Sequence, residues 1–220
     1  SGLINIETNL QVDNFPINYC PVLYPFFGVN TAVSGVGYNI AKALTELGAS
    51  IDFCSIIGDD NFGILAIDAL KKDGINDNYV IRNLKNTPQS VILVDKSGRR
   101  QINVDLKDIQ KTDYPIEIFD KLANKCNIAV LCNINFSRNL LKTAKSAGKP
   151  IATDVHALSD INDDYNRDFM KYADILFLSD ELLPDPPDIF ARKLMNKYGN
   201  EIIIIGLGAR GALINLKRDK

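Results

Sequence analysis

The sequence predicts an α/β protein: a parallel β-sheet flanked by helices, with a small antiparallel β-sheet beside it. Three observations carry this expectation. Short apolar runs bounded by turn residues alternate with stretches of helical period, which is the pattern of strand–helix–strand units. The run at 128–132 is continuously apolar, as in a strand covered on both faces. Glycine follows three of the helical stretches, at Gly48, Gly74 and Gly148, where a helix favours a left-handed C-terminal cap.

Taken in order, residues 10–33 are extended in character, with Pro16, Pro21 and Pro25 and no helical period. Ile40, Ala43, Leu44 and Leu47 fall at helical spacing. Residues 51–57 read as a strand ending at Gly58, and 62–73 as a helix stopped by Gly74. Residues 89–94 and 99–104 are β-rich runs around Asp95-Lys96-Ser97-Gly98, a hairpin signal. With the early extended segment, this hairpin builds the small antiparallel sheet. Strands at 128–132, 150–154, 174–178 and 201–205 then alternate with helices at 137–147 and 187–198, and 212–216 is extended again. Parallel strands joined in this way call for right-handed crossovers.

The 220 residues are 46% hydrophobic and 24% charged, the balance of an ordinary globular chain with one or two domains. A formal net charge of −2 gives no general attraction for nucleic acid or an anionic membrane surface. A single histidine excludes metal sites built from several histidines and leaves His156 as the sole route for a Ser-His-Asp relay. No apolar run is long enough to span a bilayer, and the first residues lack the basic and apolar regions of a signal peptide. Cys20, Cys54, Cys126 and Cys132 form no CxxC pair, and the last three lie in or beside apolar runs, so buried free thiols in a reducing cytoplasm are expected rather than a zinc site or a disulfide frame.

Three glycine clusters carry the chemistry. Ser34-Gly35-Val36-Gly37-Tyr38-Asn39 leads into a helix, where two glycines admit a ligand to the backbone amides, or simply permit a tight loop. It is not the dinucleotide fingerprint, because Ile40 stands where the third glycine belongs, and this argues against a nucleotide-binding oxidoreductase. Gly58-Asp59-Asp60-Asn61-Phe62-Gly63 reads by itself as a helix start, with acidic residues at the positive end of the dipole. Gly206-Leu207-Gly208-Ala209-Arg210-Gly211 follows a strand, either as a phosphate-holding turn at a ligand crevice or as a turn joining two strands.

In this order the clusters resemble those of the ribokinase-like family of carbohydrate and nucleoside kinases, the PfkB family. Gly2-Leu3-Ile4-Asn5-Ile6-Glu7 is similar to the family's Gly-x-x-Asn-x-Asp. Residues 34–48 are similar to its Gly-Gly-x-Gly-x-Asn loop and helix, 57–63 to its Val-Gly-x-Asp-x-x-Gly, the hairpin to its substrate lid, and 206–211 to the Gly-x-x-Gly turn before its nucleotide loop. The resemblance implies one ribokinase-like α/β domain over 1–220 that lacks its C-terminal part, with lid strands within about 10–33 and 88–105. It also implies ATP-dependent phosphoryl transfer, with Mg²⁺, to a hydroxyl of a sugar or sugar-like substrate lying between the α/β domain and the lid. Asn5 and Glu7 are expected to bond substrate hydroxyls, and Gly35, Gly37 and Asn39 to meet the sugar. Gly206 and Gly208 are expected beside the nucleotide.

The departures are specific. Glu7 stands where the family has Asp, Ser34 where it has the first glycine, and Val36 where it is often polar. Ser179-Asp180-Glu181-Leu182 does not reproduce the family's Asn-x-x-Glu in register; Asp180 or Glu181 substitutes for it, with Glu181 the candidate for the metal. The motif Asp-Thr-x-Gly-Ala-Gly-Asp, which supplies the general base, is absent from these residues, so that base is expected beyond Lys220 and the chain is expected to be a piece of a longer kinase.

His156 is a candidate for substrate or phosphate, or a satisfied structural histidine. Asn133 and Asn135 follow a strand on the ligand side, as substrate contacts or loop caps. Arg99 and Arg100 close over an anionic substrate or only solvate, and Lys217-Arg218 reads as a solvated face. The run from Ser34 also resembles pseudouridine kinases, which keeps a nucleoside acceptor open. A non-catalytic sugar- or nucleoside-binding protein is the rival from another class. A homodimer through the lid is expected, because exposed edge strands invite pairing.

Overall fold

The computed structural model describes residues 1–217, so Arg218 of the Lys217-Arg218 pair lies outside the described residues. The chain divides into two compact units, one of Gly2–Thr112 and one of Ser1 with the chain from Asp113 on.

The first unit contains β1 (Asn5–Gln11), β2 (Val29–Ser34), α1 (Val36–Glu46), β3 (Ser55–Gly58), α2 (Asn61–Lys72), β4 (Val80–Leu84), β5 (Gln89–Val94) and β6 (Arg100–Asp105). Four strands form a sheet in the order β2-β1-β5-β6. The hairpin β5–β6 and the pair β1–β2 are antiparallel, as the sequence implies. The sheet as a whole is mixed, however, because β1 runs parallel to β5. The long crossover through β2–β4 is what permits a parallel pair, which a tight turn cannot close. Strand β1 also starts earlier than residue 10, since polar Asn5, Glu7 and Asn9 alternate with Ile6, Thr8 and Leu10 at strand period.

Helix α1 has the expected period but not the expected face. Gly37, Tyr38 and Ala41 are buried, whereas Leu47 is 82% exposed. The small residues decide this. A Cβ on Gly37 would lie 2.5 Å from the carbonyl carbon of Gly2, so only glycine lets the helix approach so closely. The core beneath it gathers Ile4, Tyr38, Ala41, Phe53, Ile57, Ala66, Leu70 and Ile75. The Tyr38 hydroxyl donates to Asp73 at the end of α2, and Lys42 Nζ reaches the same carboxylate at 3.2 Å, which ties the two helices together. The 51–57 run yields a strand only over Ser55–Gly58, paired in parallel with β4. The sequence gives no warning of β4, where Arg82 and Asn83 interrupt a short apolar run.

The second unit contains α3 (Ile116–Ala123), β7 (Ala129–Val130), α4 (Asn135–Arg138), α5 (Leu140–Ser146), β8 (Ile151–Ala157), α6 (Arg167–Tyr172), β9 (Ile175–Ser179), α7 (Pro187–Tyr198), β10 (Ile202–Gly206) and β11 (Ala212–Leu216). Its sheet has the order β11-β10-β9-β8-β7, with β7 to β10 parallel and β11 antiparallel at one edge. This is the parallel sheet with flanking helices that the sequence predicts, and α7 spans the predicted residues. The run 128–132 is a ladder strand only at Ala129–Val130 because Ser1 takes part of its backbone. The N-terminal ammonium donates to the Val130 carbonyl at 2.7 Å, and the Cys132 N–H donates to the Ser1 carbonyl at 2.9 Å. The predicted helix at 137–147 is divided at Asn139, whose side chain reaches Asp113 Oδ1 at 2.9 Å.

Cys54 and Cys132 are buried as expected, but Cys126 is only half-buried and Cys20 is exposed, since it lies outside any apolar run; among the described residues the four form no disulfide, and no helix is long and apolar enough to cross a membrane.

Candidate functional site

In the first unit the register of β1 assembles a polar group. Asn5 stands opposite Ser34 and Glu7 opposite Ala32 on β2, while Glu7 stands beside Ser90 on β5. Alternate residues of a strand share a face, so Asn5, Glu7 and Asn9 line one side of the sheet. The side chains confirm it. Asn5 Nδ2 donates to Ser90 Oγ at 3.0 Å, and Asn9 Nδ2 donates to Glu7 Oε1 at 3.0 Å. Asn5 is buried and, among the described residues, its Oδ1 has no hydrogen-bond partner, which leaves an unsatisfied acceptor at the head of the row. Buried polar atoms without a partner are rare and costly.

Strand β2 delivers the chain to α1 at the same end. Gly35 holds φ at 109°, and a Cβ there would meet the Leu3 carbonyl oxygen at 2.5 Å, so glycine is required on both counts. The exposed Asn39 turns back so that its Nδ2 lies 3.4 Å from Ser34 Oγ. Asn5, Glu7, Gly35, Gly37 and Asn39 are therefore brought together. Ser90 and Asn9, not singled out from the sequence, join them. The signal for Asn9 is the period-two alternation, whereas Ser90 depends on the β1–β5 pairing that no local pattern shows.

The cluster 58–63 acts as the helix start that its residues imply. Asp60 caps α2, accepting from the Gly63 N–H at 2.8 Å, and it also accepts from the Thr87 hydroxyl and N–H. Arg99 is held by Asp95 in the hairpin turn, with Nε 2.8 Å from Oδ2, so it is committed to the turn. Arg100 is exposed on the edge strand β6.

In the second unit the remaining candidates gather at the carboxyl ends of parallel strands, where open α/β sheets bind ligands. Ala157 of β8 pairs with Ser179 of β9, and Ser179 pairs with Gly206 of β10. His156 lies in an irregularity of β8 at φ 58°, with its N–H donating to Asp154 Oδ1 at 2.7 Å and its Nδ1 3.8 Å from Oδ2. Such left-handed backbone at a non-glycine residue marks a constrained position.

After β10 the turn 207–211 both joins β10 to β11 and sits at this edge, so the two readings of the cluster coincide. Among the described residues nothing lies within 4 Å of a Cβ position on Gly208, which leaves that side of the turn open. Arg210 pairs with Asp180, and the Asp180 N–H donates to the Gly206 carbonyl at 3.0 Å. Glu181 is exposed, its N–H 3.2 Å from Ser179 Oγ. Among the described residues no group of three His, Cys, Asp or Glu side chains that could hold a metal ion is formed. A lone carboxylate such as Glu181 still fits Mg²⁺ carried on a nucleotide, because that ion keeps waters and needs only one or two protein carboxylates.

Asn133 stands apart from this edge group in its bonding. Its Nδ2 donates to Asn166 Oδ1 at 3.0 Å and its carbonyl accepts from the Tyr165 hydroxyl at 3.0 Å. Asn135 accepts from Arg138. Burial pushes the Cys132 thiol up, which makes it a poor nucleophile.

The fold is that of ribokinase. A microbiome-derived acarbose kinase superposes with a TM-score of 0.85 at 23% identity, covering 99% of this chain and 72% of its own. Ribokinase from Thermotoga maritima superposes with a TM-score of 0.73 at 24% identity, covering 99% and 74%. The chain belongs to the pfkB family of carbohydrate kinases, whose family model matches residues 2–220. Among curated relatives, ribokinase of Schizosaccharomyces pombe is 25% identical over 203 residues, which cover 84% of this chain and 64% of that protein. The 2-dehydro-3-deoxygluconokinase of Bacillus subtilis is 24% identical over 208 residues, covering 82% and 62%. The chain thus spans less than two thirds of the length of these relatives.

Proposed function

We propose that the protein transfers the γ-phosphoryl group of ATP to a hydroxyl of a sugar or sugar-like substrate. The observation that carries this reading is the group formed by Asn5, Glu7, Ser34, Asn39 and Ser90. A polyol needs several fixed donors and acceptors, and these side chains supply both within one group at the start of a helix. The unsatisfied Asn5 Oδ1 adds an acceptor whose partner would be a substrate hydroxyl. Gly35 and Gly37 let the start of α1 pack against the Leu3 and Gly2 backbone, which holds this group at the helix entrance beside the acceptor. To the other unit the same reading assigns the nucleotide, at Gly206 and Gly208, Mg²⁺ at Glu181, and further substrate contacts at His156 and Asn133.

Phosphoryl transfer rests on positioning and charge stabilisation, and Mg²⁺ supplies the neutralisation of the phosphates. No Gly-Ala-Gly-Asp occurs in the 220 residues, so the general base is not assigned to any of them.

A second copy is the proposed partner, pairing through the exposed edge strand β6. A monomer in a solution size measurement would remove that partner. A cytoplasmic location belongs to the same proposal.

The test is ATP consumption by the full-length protein across a panel of sugars and nucleosides. Turnover with sugars supports the reading, and turnover with nucleosides alone replaces it by a nucleoside kinase. Sugar binding without any turnover replaces it by a binding protein.

A further inference from the structure

The polar row does not stop at the proposed acceptor group. Asn5, Glu7, Asn9 and Gln11 occupy one face of β1, and Asn9 faces Asn30 on β2. At about 3.3 Å per residue the row runs for about 20 Å, further than one sugar ring reaches. It ends at Gln11, where Gly28 and Pro25 pack closely; a Cβ on Gly28 would lie 3.1 Å from the Gln11 Cβ and 3.0 Å from the Pro25 Cβ. Gln11 and Pro25 also line a cavity of about 560 Å³, together with Asn14, Tyr19, Leu23 and Tyr24. Tyr19 is 91% exposed and Tyr24 74% exposed, although both are large rings.

We propose that this cavity is a distal subsite for the outer rings of an oligosaccharide whose first ring lies at Asn5 and Asn39. The inference rests on the acceptor reading above. Aromatic faces pack on the apolar C–H faces of sugars while amides take their hydroxyls, and the lining supplies both. The polar row between the two ends supplies hydroxyl partners for the intervening ring. A nucleoside fits less well, since its base is joined directly to its ribose and ends midway along the row.

The test is calorimetric titration of the full-length protein with mono-, di- and trisaccharides built on glucose, fructose and galactose, and with inosine. In one series the trisaccharide is expected to bind at least tenfold more tightly than its monosaccharide. Tyr24→Ala is expected to collapse that ratio, and Tyr24→Phe to retain it. Equal affinities along every series would overturn the subsite, as would a ratio untouched by Tyr24→Ala or a Tyr24→Ala effect confined to oligomeric state. Asn39→Ala separates the two readings. If it leaves saccharide binding intact, the acceptor reading fails, whereas the subsite is judged on the Tyr24 ratio alone.

Discussion

The Thr87 hydroxyl donates to Asp60 Oδ1 at 2.6 Å while the Thr87 N–H donates to Oδ2 at 2.9 Å, so one carboxylate fastens a buried loop to the start of α2. Thr87 is fully buried, and its hydroxyl also accepts from the Gly58 N–H at 3.0 Å. The loop before β5 is therefore fixed to the end of β3 and to α2 through two side chains.

Asp60→Ala should cost about 2–3 kcal/mol, from a lost helix cap and from buried donors left unpaired. Burial pushes the Asp60 carboxyl up, but the bonds from the Thr87 hydroxyl, the Thr87 and Gly63 N–H groups and Asn86 outweigh it and hold it below the usual value. A depressed carboxylate stabilises the fold above its unfolded value and loses that contribution as pH falls through its folded value. Denaturant titration of wild type and Asp60→Ala should give a difference that is constant near neutrality and shrinks only in acid below about pH 4. A difference already shrinking at pH 6 would contradict this account.

The hairpin carries a second acid-sensitive lock. Asp95 is buried and accepts from the Ser97 hydroxyl at 2.6 Å, the Ser97 N–H at 2.9 Å, the Arg99 N–H at 3.0 Å and Arg99 Nε at 2.8 Å. The Ser97 hydroxyl is the largest influence, and with Arg99 it overcomes burial to bring the carboxyl down to about 2. The turn should keep its form as pH drops past the ordinary carboxylate value near 4 and loosen only towards pH 2. Carboxyl carbon chemical shifts of Asp95 should titrate with a midpoint near 2, and a midpoint near 4 would show that the network does not hold in solution.

Asn39 separates acceptor from nucleotide. It is exposed and its contact with Ser34 is long, so Asn39→Ala should change stability by no more than about 0.5 kcal/mol. Acceptor affinity should fall at least tenfold while ATP affinity stays within twofold. Titrating both ligands checks this, and equal losses for the two would remove Asn39 from the acceptor site.

Much of this arrangement is local in sequence, and what is local is legible. The period of α7, the hairpin around Asp95 and the glycines that end α1 and α2 follow from residues within a few positions of one another. The acceptor group is only half so. Asn5, Glu7, Gly35 and Asn39 stand out through a motif, whereas Ser90 joins because β1 lies parallel to β5, a pairing between residues 85 positions apart. The buried face of α1 is misread for a related reason. Apolar spacing favours Ile40 and Leu44, but close approach to Gly2 rewards Gly37, with Tyr38 and Ala41 turned inward beside it, and only the third dimension shows that neighbour.

Arg210 gives the sharpest test of the nucleotide edge. Its pairing with Asp180 links the turn after β10 to the end of β9, and the Asp180 N–H on the Gly206 carbonyl makes the same connection through the backbone. Arg210 is mostly exposed, and an ion pair of that kind contributes about 0–1 kcal/mol to folding. Arg210→Ala should therefore barely move the unfolding midpoint. Its loss removes a cation beside the Gly206–Gly208 backbone that is proposed to receive phosphates, and exposes the Asp180 carboxylate to them instead. ATP affinity should fall at least fivefold and acceptor affinity should stay unchanged. The loss should narrow at high salt, where charge near a surface is screened. ATP titrations of both proteins at low and high ionic strength measure this, and an Arg210→Ala protein that binds ATP as well as wild type at low salt would place the nucleotide elsewhere.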